Sequence, residues 1–199
     1  MKLKLVGVLV VVVLGIWGCA PQLSPPPPLG APPCLKYFRD AHPSVTTRCL
    51  EAQQIADQVS DTSQMPRINV RIAELPSGYG GWCCPMGELA VSEQIQSLPT
   101  FLVVFSHELG HLRLGHPFTA RSGRSHEEQL EREIAANIEG VKILQEFWGF
   151  SEEVAVRLYV TFLDAVQRSR GVLLTGHDPC REAMVLVQTF QVDTQLGGC

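Results

Sequence analysis

An α+β domain, mostly helical with a small antiparallel or mixed sheet, is what the sequence predicts, and three observations lead there. Apolar residues recur at helical spacing through most of the second half of the chain. Two short segments, Arg67 to Leu75 and Glu88 to Ser92, have the pattern of strands. The whole is 199 residues, 45% hydrophobic and 18% charged, which allows one well-buried core and not two. Against 20 Asp and Glu there are 16 Lys and Arg, with no basic stripe, so nucleic acid is not an expected partner.

The front end is of a different kind. Lys2 and Lys4 precede an apolar run from Leu5 to Trp17, the layout of a bacterial secretory signal and short of the roughly 20 residues a spanning helix needs. Ile16-Trp17-Gly18-Cys19 has the small residue before cysteine of a lipobox, although Trp17 departs from the usual small or β-branched residue there. Residues 1–18 are therefore expected to be a lipoprotein signal peptide and Cys19 the lipidated residue. Cleavage after Ala20 competes, but it would leave Pro21 directly beyond the cut. Residues 19–33 include Pro25 to Pro28 and Pro32-Pro33, a stiff polyproline II tether of about 3.1 Å per residue. The expected location is the bacterial cell envelope, lipid-anchored on the periplasmic or another extracytoplasmic face. Cys34, Cys49, Cys83, Cys84, Cys180 and Cys199 remain, an even set that an exported chain would pair as disulfides.

Residues 34–199 form the expected domain. Leu50, Ile55 and Val59 give a helix over Val45 to Val59; Ile68, Val70 and Ile72 alternate as a half-buried strand. Gly78 to Gly81 is a glycine-rich turn, followed by the short apolar strand Glu88 to Ser92. Leu98-Pro99-Thr100 opens a helix that runs through Phe101 to Phe105 and on to His111. Ser125 and Glu128 make a capping box for a helix reaching about Trp148. Ser151 to Arg168 and Asp178 to Phe190 are two more, the last capped by Asp178 with Pro179 in its first turn.

His107-Glu108-Leu109-Gly110-His111 carries the chemistry. Four residues advance a helix by about 400°, so both imidazoles share a face and can share one metal ion, with Glu108 beside them. Composition alone would produce H-E-x-x-H roughly once in 80 such chains, and here the helical context is also present. Catalytic zinc normally takes three protein ligands, so a third donor is needed. Downstream, Glu133 and Asn137 share a face of the next helix, and Ala136 is small enough to let two helices approach closely. Glu131 is read instead as part of a solvated charged face.

Met86 to Ile95, His107 to His111 and Glu133 to Asn137 together resemble the gluzincin family of the CAAX prenyl protease, the heat-shock membrane protease and their small soluble periplasmic relatives. The resemblance implies a minimal zincin-like fold with Zn²⁺ on His107, His111 and Glu133. It also implies an edge strand, Gly87, Glu88, Leu89, Ala90, Val91 and Ser92, flanking the active helix and pairing with an extended substrate. The family's E-x-x-A-D reads here with Asn137 in place of Asp, so the oxygen that orients a ligand histidine is kept while its charge is lost. Thr175 to Pro179 with Arg181 resembles the family's late His-Pro segment, interrupted by Asp178, and implies His177 and Arg181 as transition-state stabilisers. The longer histidine-ligated motif is excluded, because Leu114 and Pro117 stand where it needs Gly and His and His116 is out of register.

The implied activity is that of a zinc-dependent endopeptidase cleaving extended or misfolded envelope proteins or peptides, Glu108 acting as base and then acid. The immunity-repressor-cleaving zincins resemble the same segments, with Glu131 to Asn137 as their E-x-E-A-N, but the export signal argues against them. The alternative of a different class is a lipid-anchored binding or chaperone module that keeps the fold without turnover.

Overall fold

The computed structural model describes residues 43–73, 75, 80–84, 87–92, 94–95, 97–116, 125–169 and 176–197. The expected signal peptide, Cys19 and the tether lie outside them, as does the 117–124 segment. The described elements are, in order, α1 (Pro43–Thr62), β1 (Asn69–Ala73), β2 (Gly81–Cys84), β3 (Glu88–Ser92), α2 (Leu98–Arg113), α3 (His126–Trp148), α4 (Glu152–Arg168) and α5 (Pro179–Phe190). The chain is thus broadly α+β and mostly helical.

The sheet has the order β1-β3-β2, with β1 and β3 parallel and β2 and β3 antiparallel. A purely antiparallel sheet is therefore not what forms. The expectation that residues 87–92 make an edge strand is also corrected. Glu88 to Ser92 is the central strand, with Val70 opposite Leu89 on one side and Cys83 opposite Leu89 on the other. Leu89, Ala90, Val91 and Ser92 are all buried, as befits a strand covered on both faces.

Sequence misses β2, because Gly81-Trp82-Cys83-Cys84 is four residues long and has no alternation to distinguish it from the preceding glycine-rich turn. The free side of β1 is closed by α1. Gln53 Nε2 donates to the carbonyl of Ile68 at 2.8 Å, Val70 N–H donates to Gln53 Oε1 at 3.0 Å, and Ile68 N–H donates to Ser60 Oγ at 3.2 Å. A helix thereby supplies the partners that a neighbouring strand would otherwise give. Both β1 and β2 are terminal strands, and the α1 side chains that bond to the outer side of β1 leave β2 as the other edge.

Helix α2 is the centre of the fold, packed against α1, α3, α4, β2 and β3. Phe101 to Phe105 and Leu109 are buried, and the Phe105 ring meets Trp148 edge-on at 5.7 Å. Such an all-round apolar helix can exist only inside a core. The remaining helices begin where their capping residues stand. Ser125 accepts from Glu128 N–H while Glu128 Oε2 accepts from Ser125 N–H, and Asp178 Oδ1 accepts from Arg181 N–H at 3.1 Å. Helix α3 stops at Gly149, whose φ of 66° is left-handed and costs a glycine little.

The α2–α3 crossing is made close by small residues. A Cβ placed on Gly110 would sit 2.5 Å from the backbone oxygen of Ala136, and one on Gly140 would collide with the Tyr159 hydroxyl. Ala136 itself is fully buried. Because the Ala136 oxygen is backbone, it cannot swing aside. Gly110→Ala is expected to destabilise the protein by about 1–3 kcal/mol through overpacking. The check is a denaturant titration; an unchanged midpoint contradicts so tight a crossing.

Candidate metal centre

Helix α2 presents His107 and His111 one turn apart, and α3 brings Glu133 across the close crossing to meet them. His107 Nε2 and His111 Nε2 lie 3.1 Å apart, and Glu133 Oε2 is 3.1 Å from the first and 3.0 Å from the second. The three expected ligands therefore converge on one point. His177, from the residues just before α5, joins them with Nε2 at 3.4 Å from Glu133 Oε2. His107, Glu133 and His177 each offer an atom within 4.8 Å of the others, a group that could hold a metal ion.

Orientation of the imidazoles can be worked out from one buried carboxylate that sequence reading misses. Glu182 on α5 is 1% exposed. Its Oε2 accepts from Asn137 Nδ2 at 2.6 Å, while its Oε1 accepts from the Asp178 N–H at 2.9 Å and faces His177 Nδ1 at 3.0 Å. A carboxylate offers only acceptors, so the Asn137 amide must turn its NH₂ to Glu182 and its oxygen to His107 Nδ1, 2.8 Å away. Nδ1 of His107 then carries hydrogen, and its Nε2 lone pair faces Glu133 and His111. His111 is held from behind by His116, with the two Nδ1 atoms 2.9 Å apart. Burial and the neighbouring His111 push His116 down to about 4, so at neutral pH it is uncharged, and its Nδ1 can accept when the His111 Nδ1 carries the hydrogen. His116 thus backs the imidazole of His111.

Lone pairs from two imidazoles and a carboxylate, aimed at one another across about 3 Å, call for a cation between them: a proton or a metal. Zinc ligands at about 2.0–2.2 Å in a tetrahedron stand roughly 3.3 Å apart, close to the separations here, and the N, N, O donor set suits that ion. Without metal the proton takes the place. Burial opposes a charge on His107, but the hydrogen bond and charge of Glu133 override it and push the imidazole up to about 9. Burial likewise opposes ionisation of Glu133, and hydrogen bonds from His107 and His111 override it, holding the carboxyl far below the usual range.

The linkage follows. His107, raised above its ordinary 6.5, adds stability to the metal-free chain that is complete below pH 6.5 and is lost as pH rises through about 9. Metal binding reverses the trend, since protons compete for the same nitrogen. In chelator, the denaturation midpoint should fall between pH 6.5 and 9; with zinc, added stability should grow over that interval. A chelator-treated protein equally stable at both ends contradicts the His107–Glu133 pairing.

Of the other expected residues, Glu108 is 9% exposed and lies under β2, where a Cβ on Gly81 would come within 2.7 Å of its Oε1. Only glycine lets that strand pass so near the carboxylate. Arg181 is committed elsewhere: its Nη1 donates to Glu127 Oε2 at 2.9 Å on an exposed face. A transition-state role would require it to leave that pair. Cys180 is disulfide-bonded. No family model, curated protein or solved structure matches the chain, and no helix among the described residues is long and apolar enough to cross a membrane.

Proposed function

We propose that the chain is a zinc-dependent endopeptidase of the gluzincin type, lipid-anchored through Cys19 in the bacterial envelope. The observation that carries the reading is the meeting of His107 Nε2, His111 Nε2 and Glu133 Oε2 within 3.0–3.1 Å, with Glu108 next to His107 on the same helix. Zinc held by those three would supply a Lewis acid for a peptide carbonyl and an acidified water. Glu108 is the group that takes the water's proton and passes it to the departing amine. His177 keeps its place as the donor to the developing oxyanion. Burial works against its proton and the hydrogen bond to Glu182 works for it, and its Nε2 is the ring nitrogen that faces the site, 3.4 Å from Glu133 Oε2.

Substrate in extended form would pair with the outer side of β2, the strand that passes Glu108, rather than with the enclosed β3. Main-chain pairing asks little of sequence, which fits unfolded envelope proteins or peptides as substrates. Zinc content together with cleavage of an unfolded protein such as casein tests the reading. Stoichiometric zinc with chelator-sensitive cleavage supports it, and absence of both rejects it.

His177 also favours a second reading, the non-catalytic binding or chaperone module. With its Nε2 3.4 Å from Glu133 Oε2, it could close the coordination as a fourth ligand, as structural zinc sites do. His177→Ala separates the two: in a peptidase it lowers turnover and spares zinc, and in a closed site it releases the metal.

A further inference from the structure

We propose that Glu182 is the positioning residue of the metal centre, one buried carboxylate that fixes the hydrogen placement of two site histidines, directly for His177 and through the neutral amide of Asn137 for His107. The idea rests on the metal-site reading above for its purpose, but its geometry stands alone. All three acceptor contacts of Glu182 come from N–H groups: Asn137 Nδ2 at 2.6 Å, His177 Nδ1 at 3.0 Å and the Asp178 backbone at 2.9 Å. The side chain is 1% exposed and Asn137 3%, so water does not supply alternatives.

The arrangement explains why position 137 carries Asn. An Asp there would set two carboxylates against each other at the distance now occupied by the 2.6 Å hydrogen bond. The charge that orients the ligand histidine has moved one step outward, to a third helix, and Asn137 relays it. Asn is suited to the task because it accepts on one side and donates on the other, so its polarity is set by whatever acceptor lies behind it. In consequence α5 is tied to the α2–α3 pair by polar contacts as well as by apolar packing. A single carboxylate then sets His107 and His177 in the same sense, each with Nδ1–H outward and Nε2 toward Glu133.

This makes a reciprocal prediction. In Glu182→Gln the amide has one acceptor atom where two are needed. Either Asn137 turns over and offers NH₂ to His107 Nδ1, or His177 loses its acceptor. In Asn137→Asp, two like charges meet in a buried place. In the double variant Asn137→Asp/Glu182→Gln every partner is satisfied again. The carboxylate now at position 137 accepts from His107 and from the NH₂ of the amide now at position 182. The oxygen of that amide accepts from His177 and the Asp178 N–H.

The test measures zinc affinity of the full chain by competition with a chromophoric chelator. It also records ¹⁵N spectra of the imidazoles in metal-free protein across a pH series, comparing wild type and variants where the spectra themselves show neutral rings. Each single variant is expected to lose about 10–100-fold in zinc affinity, the usual cost of an outer partner of a ligand. Glu182→Gln should also shift one imidazole away from the Nδ1–H pattern, and the double variant should regain both properties to within a few-fold. A double variant no better than the singles, or Glu182→Gln with both imidazoles unmoved, overturns the proposal. Should a single variant fail to fold, recovery of fold and zinc in the double variant still supports the relay, and its failure too counts against it. Imidazole patterns that respond as predicted, with a wild-type chain that cleaves nothing, would defeat the peptidase reading and leave the relay standing.

Discussion

If the proposed peptidase reading holds, Glu108→Gln is expected to leave the fold and zinc binding in place and to lower peptide cleavage by about 10²- to 10⁴-fold, the range that loss of a positioned general base produces. The substitution is nearly isosteric. Glu108 is buried against β2, and the amide fits the space beside Gly81 that a larger group would not. What it loses is the ability to take a proton from water and return it to the leaving amine. The assay is cleavage of an unfolded protein, with zinc content and circular dichroism measured on the same sample. Undiminished cleavage removes Glu108 from the mechanism, whereas loss of zinc or of helicity would assign it a structural role instead.

Glu133→Ala has a different signature. Its carboxylate is the donor from α3, 3.0 and 3.1 Å from the two imidazoles of α2. Removing it leaves two ligands from a single helix, and zinc affinity should fall by more than the 10–100-fold that an outer partner costs. Two further effects should accompany the loss. Cleavage disappears, and the chelator-treated protein loses less stability between pH 6.5 and 9, since the carboxylate that does most to hold the His107 proton is gone and only the charges of Glu108 and Glu182 remain. Calorimetric zinc titration and denaturation at the two ends of that interval measure both. Full retention of zinc by Glu133→Ala would transfer the third position to His177.

The helices are legible in the sequence because their signals are local. Ser125, Ser151 and Asp178 cap helices at the places their side chains suggest, and the helical spacing that includes Ile55 and Val59 marks the buried side of α1, where Ala52 and Ala56 also lie. That His107 and His111 meet on one face is legible for the same reason, a fixed geometry over four residues. What cannot be read is what depends on partners distant in sequence. The parallel pairing of β1 with β3 turns Glu88 to Ser92 from an edge into the sheet's centre, and nothing within that segment announces it. Glu182 stands in an ordinary first helical turn, where an acidic residue normally faces water and favours the helix dipole; its burial follows only from α5 lying against Asn137, 45 residues earlier. Its one sequence-level trace is Asn137, a residue that lacks the charge its position calls for. His116, out of register with the histidine-ligated motif, turns out to be the hydrogen-bond partner of His111.

The most direct measurement is an anomalous difference map at the zinc absorption edge from crystals of the full chain grown with zinc. The account predicts one strong peak within about 2.0–2.2 Å of His107 Nε2, His111 Nε2 and a Glu133 carboxylate oxygen. A peak held by other residues, or a metal bound to the two histidines with Glu133 turned away, would contradict it.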